Sequence, residues 1–200
     1  MATALHLAAL AAVRGAAPDF EQGDLSLALA GAELIDLADL HAVVLMRDRI
    51  MPAAAPRTEN SMLIEAAAEI VRDAPHETVE RWLWRRGRDL AARYRVALRA
   101  TVPEPLARAH RQRLRQAAPA VGPHVLCSAT DRLMVGDPVL THLAAAAGIA
   151  EPPPADALDG LDEDEIAVLA DVHQAITQLA AERQRRWVDR GGFDNLWRGF

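Results

Sequence analysis

The stretch LSLALAGAELIDLADL, residues 25–40, indicates the fold class. Small or apolar side chains recur in it at helical spacing, at Leu27, Ala30, Gly31, Leu34 and Leu37. This periodicity predicts a helix, and Asp24 directly before it is a suitable N-cap. Gly31 and Ala32 lie in the middle of the helix, where small side chains let another element approach. We therefore expect a neighbour to pack closely here.

The composition of the whole chain also favours helices. Alanine makes up about a fifth of the 200 residues and aromatic residues are few. Alanine is the best helix former and a poor strand former. The length predicts one domain, over residues 1–200. Further helices are predicted over 3–13, 59–73, 77–101, 104–117 and 138–147, with a last helix that begins near Asp162. The predicted fold class is therefore mainly α, a compact domain of amphipathic helices.

Short β-rich runs interrupt the helical pattern. AVVLM (42–46) and RIM (49–51) flank a two-residue Arg-Asp turn, which predicts a β-hairpin. The run VLCSA (125–129) is ambiguous and could form another strand, so we expect one or two short hairpins. The single cysteine, Cys127, lies in this run. We expect it to be a small buried apolar group.

Known catalytic and metal-binding patterns are missing from the sequence. It contains no nucleophile elbow (GxSxG), no phosphate-binding loop (GxxxxGK[ST]), no dinucleotide fingerprint (GxGxxG) and no HExxH zinc motif. No two of the seven histidines have the i, i+3 or i+4 spacing of a helical metal site. The acidic stretch 156–165 lacks the alternating ligands of a calcium loop, and capping of the last helix explains it better. We predict a protein that is not an enzyme and binds neither a cofactor nor a metal.

Further absences bear on localisation. No stretch reaches the ~20 apolar residues of a membrane-spanning helix. No basic region precedes the apolar run at the start of the sequence, as a secretory signal requires. A single cysteine excludes an internal disulfide. Together these features predict a cytoplasmic protein, or one bound peripherally to the inner face of the membrane.

The charge of the chain is unevenly distributed. The formal net charge is −6, and the basic side chains include arginine but no lysine. Between Arg81 and Arg115 there are eleven arginines against only Asp89 and Glu104, so this part carries +9 and the remainder −15. Such an uneven charge distribution bears on what the protein binds rather than on its fold.

A stripe of arginines follows one side of the helix predicted over 77–101. At about 100° per residue, the stripe contains Arg81, Arg85, Arg88, Arg95 and Arg99. Trp84 lies at its edge, and Gly87 marks a point where the helix could kink or break. Trp82 and Trp84 cannot point the same way, so at least one is expected in the core or in an interface.

Several interpretations of this stripe stay open. It could be a solvated helix face, or it could bind anionic lipid headgroups or an acidic protein partner. Nucleic acid phosphates are an alternative ligand, although the acidic remainder of the chain and the lack of a recognition-helix pattern argue against it. The arginines could also pair with the acidic segment 156–165 of another copy, which predicts a homo-oligomeric scaffold.

Four segments together resemble the Golgi phosphoprotein 3 (GPP34) family, in the form found in actinobacterial genomes. They are SLALAGAELIDLADLHAVVLMRDRI, ETVERWLWRRGRDLAARYRVAL, the run from PVLTHLAAAAG to the acidic linker, and AITQLAAERQRRWVDRGGFDNLWRGF. Their order and spacing carry the resemblance, which spans roughly residues 3–200. It implies amphipathic helices around a central hydrophobic helix, and a hairpin that can mediate oligomers.

The resemblance also implies a ligand and a site. Eukaryotic members bind phosphatidylinositol 4-phosphate peripherally at Golgi membranes and hold glycosyltransferases by their cytoplasmic tails. Their pocket uses a loop tryptophan, an arginine of the hydrophobic helix and two arginines of a later helix. Here Phe20 is the nearest loop aromatic and Ala30 stands at the first arginine position. With the stripe, the candidate headgroup-binding set is Arg81, Arg85, Arg86, Arg88, Trp84 and Phe20. The two departures favour a looser anionic-lipid or protein-binding role.

Overall fold

The computed structural model is mainly helical, with one antiparallel hairpin. It describes residues 2–14, 22–102, 121–154, 158 and 160–197, and residues 189–197 by their backbone alone. In this part of the chain the elements are α1 (Thr3–Arg14), α2 (Gln22–Asp39), β1 (Val43–Met46), β2 (Arg49–Pro52), α3 (Ser61–Ala68), α4 (Val79–Arg86), α5 (Leu90–Ala100), α6 (Pro123–Met134), α7 (Pro138–Ala146) and α8 (Glu163–Trp197). The predicted fold class is confirmed. The predicted helix over 104–117 lies outside the described residues.

Helix α2 is the centre of the domain. Every residue from Leu25 to Leu37 is buried, and α1, α3, α4, α5, α7 and α8 all pack against this helix. Helix α8 crosses it at Gly31, where an added Cβ would lie only 2.4 Å from Cγ2 of Val172. The close approach expected at the small residues of α2 is therefore confirmed. A larger side chain at position 31 would push the two helices apart.

Two polar side chains of this central helix cap its neighbours. Asp36 accepts hydrogen bonds from the backbone N–H groups of Thr3 (2.9 Å) and Ala4 (3.0 Å), at the start of α1. Ser26 accepts one from the N–H of Ala91 (3.1 Å), at the start of α5. Helix N-termini expose N–H groups without a partner in their own helix, so these contacts satisfy buried donors. Burial raises the pKa of Asp36 to about 6, although the backbone hydrogen bonds oppose the rise.

The helix predicted over 77–101 is broken into α4 and α5. An added Cβ at Gly87 would lie 2.5 Å from the carbonyl oxygen of Leu83 and 3.3 Å from that of Ser26. The last turn of α4 therefore leaves no room for a side chain at this point, and the backbone of α2 is also close. Asp89 then takes a left-handed conformation with φ 54°, which ends the first helix and starts the second in a new direction.

The hairpin forms as predicted, around Arg47 and Asp48. Arg47 has φ 61°, a value that this kind of tight hairpin turn requires. The second run, 125–129, is not a strand, so that alternative is wrong. It lies within α6, which begins with Pro123 at its first position, where proline is well tolerated.

The expected burial of Cys127 is also wrong, because its side chain is exposed. On α6 the fully buried residue is Ala129, which belongs to the core shared with α1. Cys127 precedes it by two positions and therefore lies on roughly the opposite side of the helix.

Candidate functional site

The two arginines that end α4 are held by the chain's own carboxylates. The side chain of Arg86 is fully buried. Its Nε lies 2.7 Å from Oε2 of Glu33 and its Nη2 lies 3.0 Å from Oε1, a bidentate pair with α2. Its Nη1 donates to Oε1 of Glu69 at 2.6 Å. A bidentate arginine–carboxylate pair is among the strongest charge-assisted interactions in proteins.

The carboxylate of Glu33 connects three helices. Tyr94 on α5 donates its hydroxyl to Oε1 of Glu33 at 3.0 Å, so Glu33 bonds to both α4 and α5. Burial raises the pKa of Glu33, and the hydrogen bonds from Arg86 and Tyr94 oppose that rise. Burial alone lowers the pKa of Arg86, but its bonds to Glu33 and the nearby glutamate charges raise it overall. Each member of this buried pair therefore depends on the other to offset the cost of burying its charge.

Arg85 is engaged in a similar way, nearer the surface. Its Nε and Nη2 lie 2.9 and 2.8 Å from the two carboxylate oxygens of Glu77, which is itself buried. Its Nη1 lies 3.2 Å from Oε2 of Glu69. The guanidinium also stacks over Trp82, 5.2 Å from the ring centroid. The hydrogen bonds that Arg85 donates to Glu77 raise its pKa.

The other predicted site residues have different surroundings. Arg81 is exposed, with its Nε 4.0 Å from Oε1 of Glu77. Arg88 is exposed, and no hydrogen bond or ion pair joins it to the described part of the chain. Trp84 is half-buried against the core, and Phe20 lies outside the described residues. Of the five described members of the set, Arg81 and Arg88 are therefore exposed, while Arg85 and Arg86 are held by glutamates.

The outer face of α5 retains an unbalanced positive charge. Arg95 and Arg99 are one helical turn apart, and α5 contains no acidic residue. Neither arginine has an ion-pair partner in the ranges that the structure covers. Val96, between them, is 67% exposed. This face combines two guanidinium groups with an exposed apolar side chain.

A family model described as Golgi phosphoprotein 3 (GPP34) matches residues 1–191. The chain belongs to the GPP34 family. No curated protein and no solved structure matches it. The family assignment made from the four sequence segments is thus confirmed. No described helix of this GPP34 protein combines the length and the apolar character needed to cross a membrane. Likewise, no group of three or more His, Cys, Asp or Glu side chains in the described ranges is placed to hold a metal ion.

The sequence analysis of this GPP34 protein missed the glutamates that neutralise its arginines. One signal was available: Glu33 stands in the middle of the mostly apolar stretch 25–40. A charge on a helix that is buried all round requires a partner, since burying an unpaired carboxylate is very costly. Nothing in the sequence indicates that the partner is Arg86, which lies on another helix 53 positions later.

Proposed function

We propose that this GPP34 protein is a non-catalytic adaptor that binds anionic, phosphoinositide-like lipid headgroups peripherally, through the outer arginines of α5 and of the α4–α5 turn. The residues assigned to this contact are Arg88, Arg95 and Arg99, with Val96 as an apolar contact. Arg81, Trp84 and Phe20 stay predicted contacts at its margin. The observation that supports the proposal most is the pair Arg95 and Arg99, which no carboxylate of the described chain neutralises.

This pair is unfavourable for the helix itself. Like charges at i, i+4 destabilise a helix by a few tenths of a kcal/mol. Guanidinium groups bind phosphate through a planar fork, so the arrangement suits a phosphorylated surface. Near an anionic membrane each arginine contributes about 1 kcal/mol. An exposed valine to one side of them suits the boundary between headgroups and acyl chains.

Arg85 and Arg86 have a different role in this proposal. The side chain of Arg86 is fully buried, and the guanidinium of Arg85 already donates to Glu77 and Glu69. A phosphate that displaced either carboxylate would gain little, because short charged hydrogen bonds would be lost. We therefore assign both arginines to holding α4 in place rather than to direct contact with lipid.

Vesicle sedimentation tests the proposal. Binding to phosphatidylcholine vesicles should appear only when phosphatidylglycerol or a phosphoinositide is added, and it should fall as salt is raised. The double variant Arg95→Gln/Arg99→Gln should bind about 30-fold more weakly, from a loss of about 2 kcal/mol. Arg57→Gln/Arg72→Gln is the matched control, because it removes the same charge from exposed positions outside α4 and α5.

Each outcome of this experiment has a definite meaning. Equal losses in both double variants would show that net charge alone drives binding, and the α5 face would be rejected. The absence of binding at low salt would remove the lipid proposal entirely. A gel shift with random duplex DNA, carried out in parallel, would favour nucleic acid if it showed the Arg95 and Arg99 dependence instead.

A further inference from the structure

A cluster of polar side chains joins the first turn of α1 to the corner between α6 and α7. Arg132, in the last turn of α6, lies at its centre. Its Nη2 lies 2.7 Å and its Nε 3.1 Å from Oδ2 of Asp137. Its Nη1 lies 3.0 Å from Nδ1 of His6 and 3.4 Å from Oγ1 of Thr3, both on α1. The guanidinium therefore connects α1 with the residue that starts α7.

The contact with Arg132 fixes the protonation state of His6. A guanidinium has five donors and no acceptor, so Nδ1 of His6 must accept from it. An imidazole nitrogen accepts only when it carries no hydrogen, so the ring is neutral and its hydrogen is on Nε2. Protonation of Nδ1 would remove this acceptor and place a second cation beside the guanidinium. The hydrogen bond and the charged form of His6 therefore exclude each other.

The surroundings of the cluster strengthen this exclusion. Only 16% of the Arg132 side chain and 19% of the Asp137 side chain are exposed, so water and salt screen their charges weakly. Burial lowers the pKa of His6, the charge of Arg132 lowers it further, and the charge of Asp137 opposes both. The charge of the chain's N-terminus adds to the lowering. Near neutral pH, His6 is thus held in the form that accepts from Arg132.

Three further carboxylates lie near this cluster. Asp36 of α2 caps the same turn of α1, and Asp39 of α2 interacts with the charge of Arg132. Asp131, the neighbour of Arg132 on α6, is exposed. Burial raises the pKa of Asp36 and of Asp39, so a proton bound to either favours the packed state. Their effect is opposite in sense to that of a proton on His6, and variants of His6 separate the two.

The other helices that pack against α1 direct their ionisable groups elsewhere. His142 on α7 donates from Nδ1 to a carbonyl of its own helix, and its charge lowers the pKa of His173 on α8. Helix α5 reaches the far end of α1. The hydroxyl of Thr101, directly after α5, accepts from the N–H of Gly122 at 3.0 Å. Gly122 precedes Arg132 by ten residues, which is about 15 Å along α6.

We propose that His6, Arg132 and Asp137 form a pH-sensitive latch, which holds the first turn of α1 on the α6–α7 corner at neutral pH and releases it in mildly acidic solution. A proton on His6 breaks its bond to Arg132, and the two cations then repel each other. Asp137 stays bonded to Arg132 and also accepts from the N–H of Leu140 at 2.9 Å. The corner therefore stays intact while α1 moves away, which exposes the fully buried Ala4. The latch goes beyond the lipid proposal, because it lies away from the α5 face and needs no ligand.

The ring of His6 provides the first test. Long-range ¹H–¹⁵N spectra of the full chain at neutral pH should show the tautomer that carries hydrogen on Nε2. On acidification the ring should titrate below the usual value of 6.5. Arg132→Gln should raise the pKa of His6, because it removes the cation and leaves the charge of Asp137 without its counter-ion. The opposite tautomer, or a pKa that Arg132→Gln leaves unchanged, would overturn the latch.

Amide hydrogen exchange measures the release itself. His6→Asn keeps an acceptor, because its Oδ1 can take the place of Nδ1, but it cannot be protonated. Between neutral and mildly acidic pH, the protection factors of the Leu7 and Ala8 amides should fall about tenfold more in the unchanged protein than in His6→Asn. His124→Asn alters an exposed histidine at the start of α6 and should behave like the unchanged protein. Asp36 is present in all three proteins, so its opposing effect cancels in the comparison.

The exchange experiment can also reject the latch. An equal fall in protection in His6→Asn and the unchanged protein, or no fall in either, would exclude a role for His6. A response that His124→Asn removes would assign the effect to another histidine. A fall in protection that extends through α2 and α8 would mean that acid unfolds the whole domain instead of releasing α1. Because none of these assays contains lipid, their failure leaves the proposed lipid contact untouched.

Discussion

Replacement of Arg86 by methionine should be one of the most destabilising single changes in this protein. It removes the bidentate pair with Glu33 and the bond to Glu69. Glu33 would keep only the hydroxyl of Tyr94 as a partner in a fully buried position. An unpaired carboxylate in such a place either stays charged at high cost or takes up a proton.

The expected loss is about 3–5 kcal/mol, the usual cost of breaking a buried pair by removing one partner. That is a large fraction of the about 5–15 kcal/mol that stabilises a typical domain. For a chain of this size it corresponds to a fall in Tm of roughly 10 °C. Arg88→Met, at an exposed position without a described partner, should change stability by no more than about 0.5 kcal/mol.

Urea denaturation followed by circular dichroism measures these values. The double variant Glu33→Gln/Arg86→Met should be more stable than Arg86→Met alone, because it no longer buries a lone carboxylate. The pKa of Glu33, raised by burial, loses the opposing effect of Arg86 in the single variant. Its folded value then lies above its unfolded value, so Arg86→Met should regain stability as the pH falls. A loss below about 1 kcal/mol, or strict additivity of the two changes, would refute the account of this pair.

Three further predictions concern the packing of α2. Gly31→Val should lower the free energy of unfolding by about 1–3 kcal/mol in urea denaturation. Adding Val172→Ala should recover part of that loss by making room, and no recovery would contradict the close crossing. The pKa of Asp36, about 6, lies above its value in the unfolded chain, so the free energy of unfolding should fall as the pH rises from about 4 to 6. Asp36→Asn should flatten that part of the curve of stability against pH. Ser26→Ala should cost about 1 kcal/mol and speed amide exchange at Ala91, whereas unchanged exchange would mean that the serine is not the cap.

The helices and their closest contact could be predicted from the sequence because they rest on local patterns. Helical spacing and small residues at Gly31 indicated the close packing that α8 provides. The expectation that Trp82 or Trp84 lies in the core is confirmed, since Trp82 is fully buried and donates its indole N–H to the carbonyl of Ala30 at 3.0 Å. The glycine at position 87 marked the break that the structure contains.

The candidate site was harder to predict because its chemistry depends on long-range contacts. A helical projection treats each arginine as facing either solvent or core, and it has no information about carboxylates on other helices. Glu69 and Glu77 resemble ordinary helix or loop glutamates in the sequence, and the position of Glu33 does not show which arginine it binds, yet the three neutralise Arg85 and Arg86. The lipid assignment rests on the arginines that these glutamates leave unpaired, and it stays a prediction until binding is measured.

The junction of Glu33, Arg86 and Tyr94 also has a consequence for how the domain loses its structure. These side chains come from α2, α4 and α5, and each depends on the others for its hydrogen bonds. If α4 detached alone, Glu33 would lose its arginine partner inside an apolar interior, so partial opening is penalised more heavily than its apolar contacts would suggest. We therefore expect these three helices to melt as one cooperative unit.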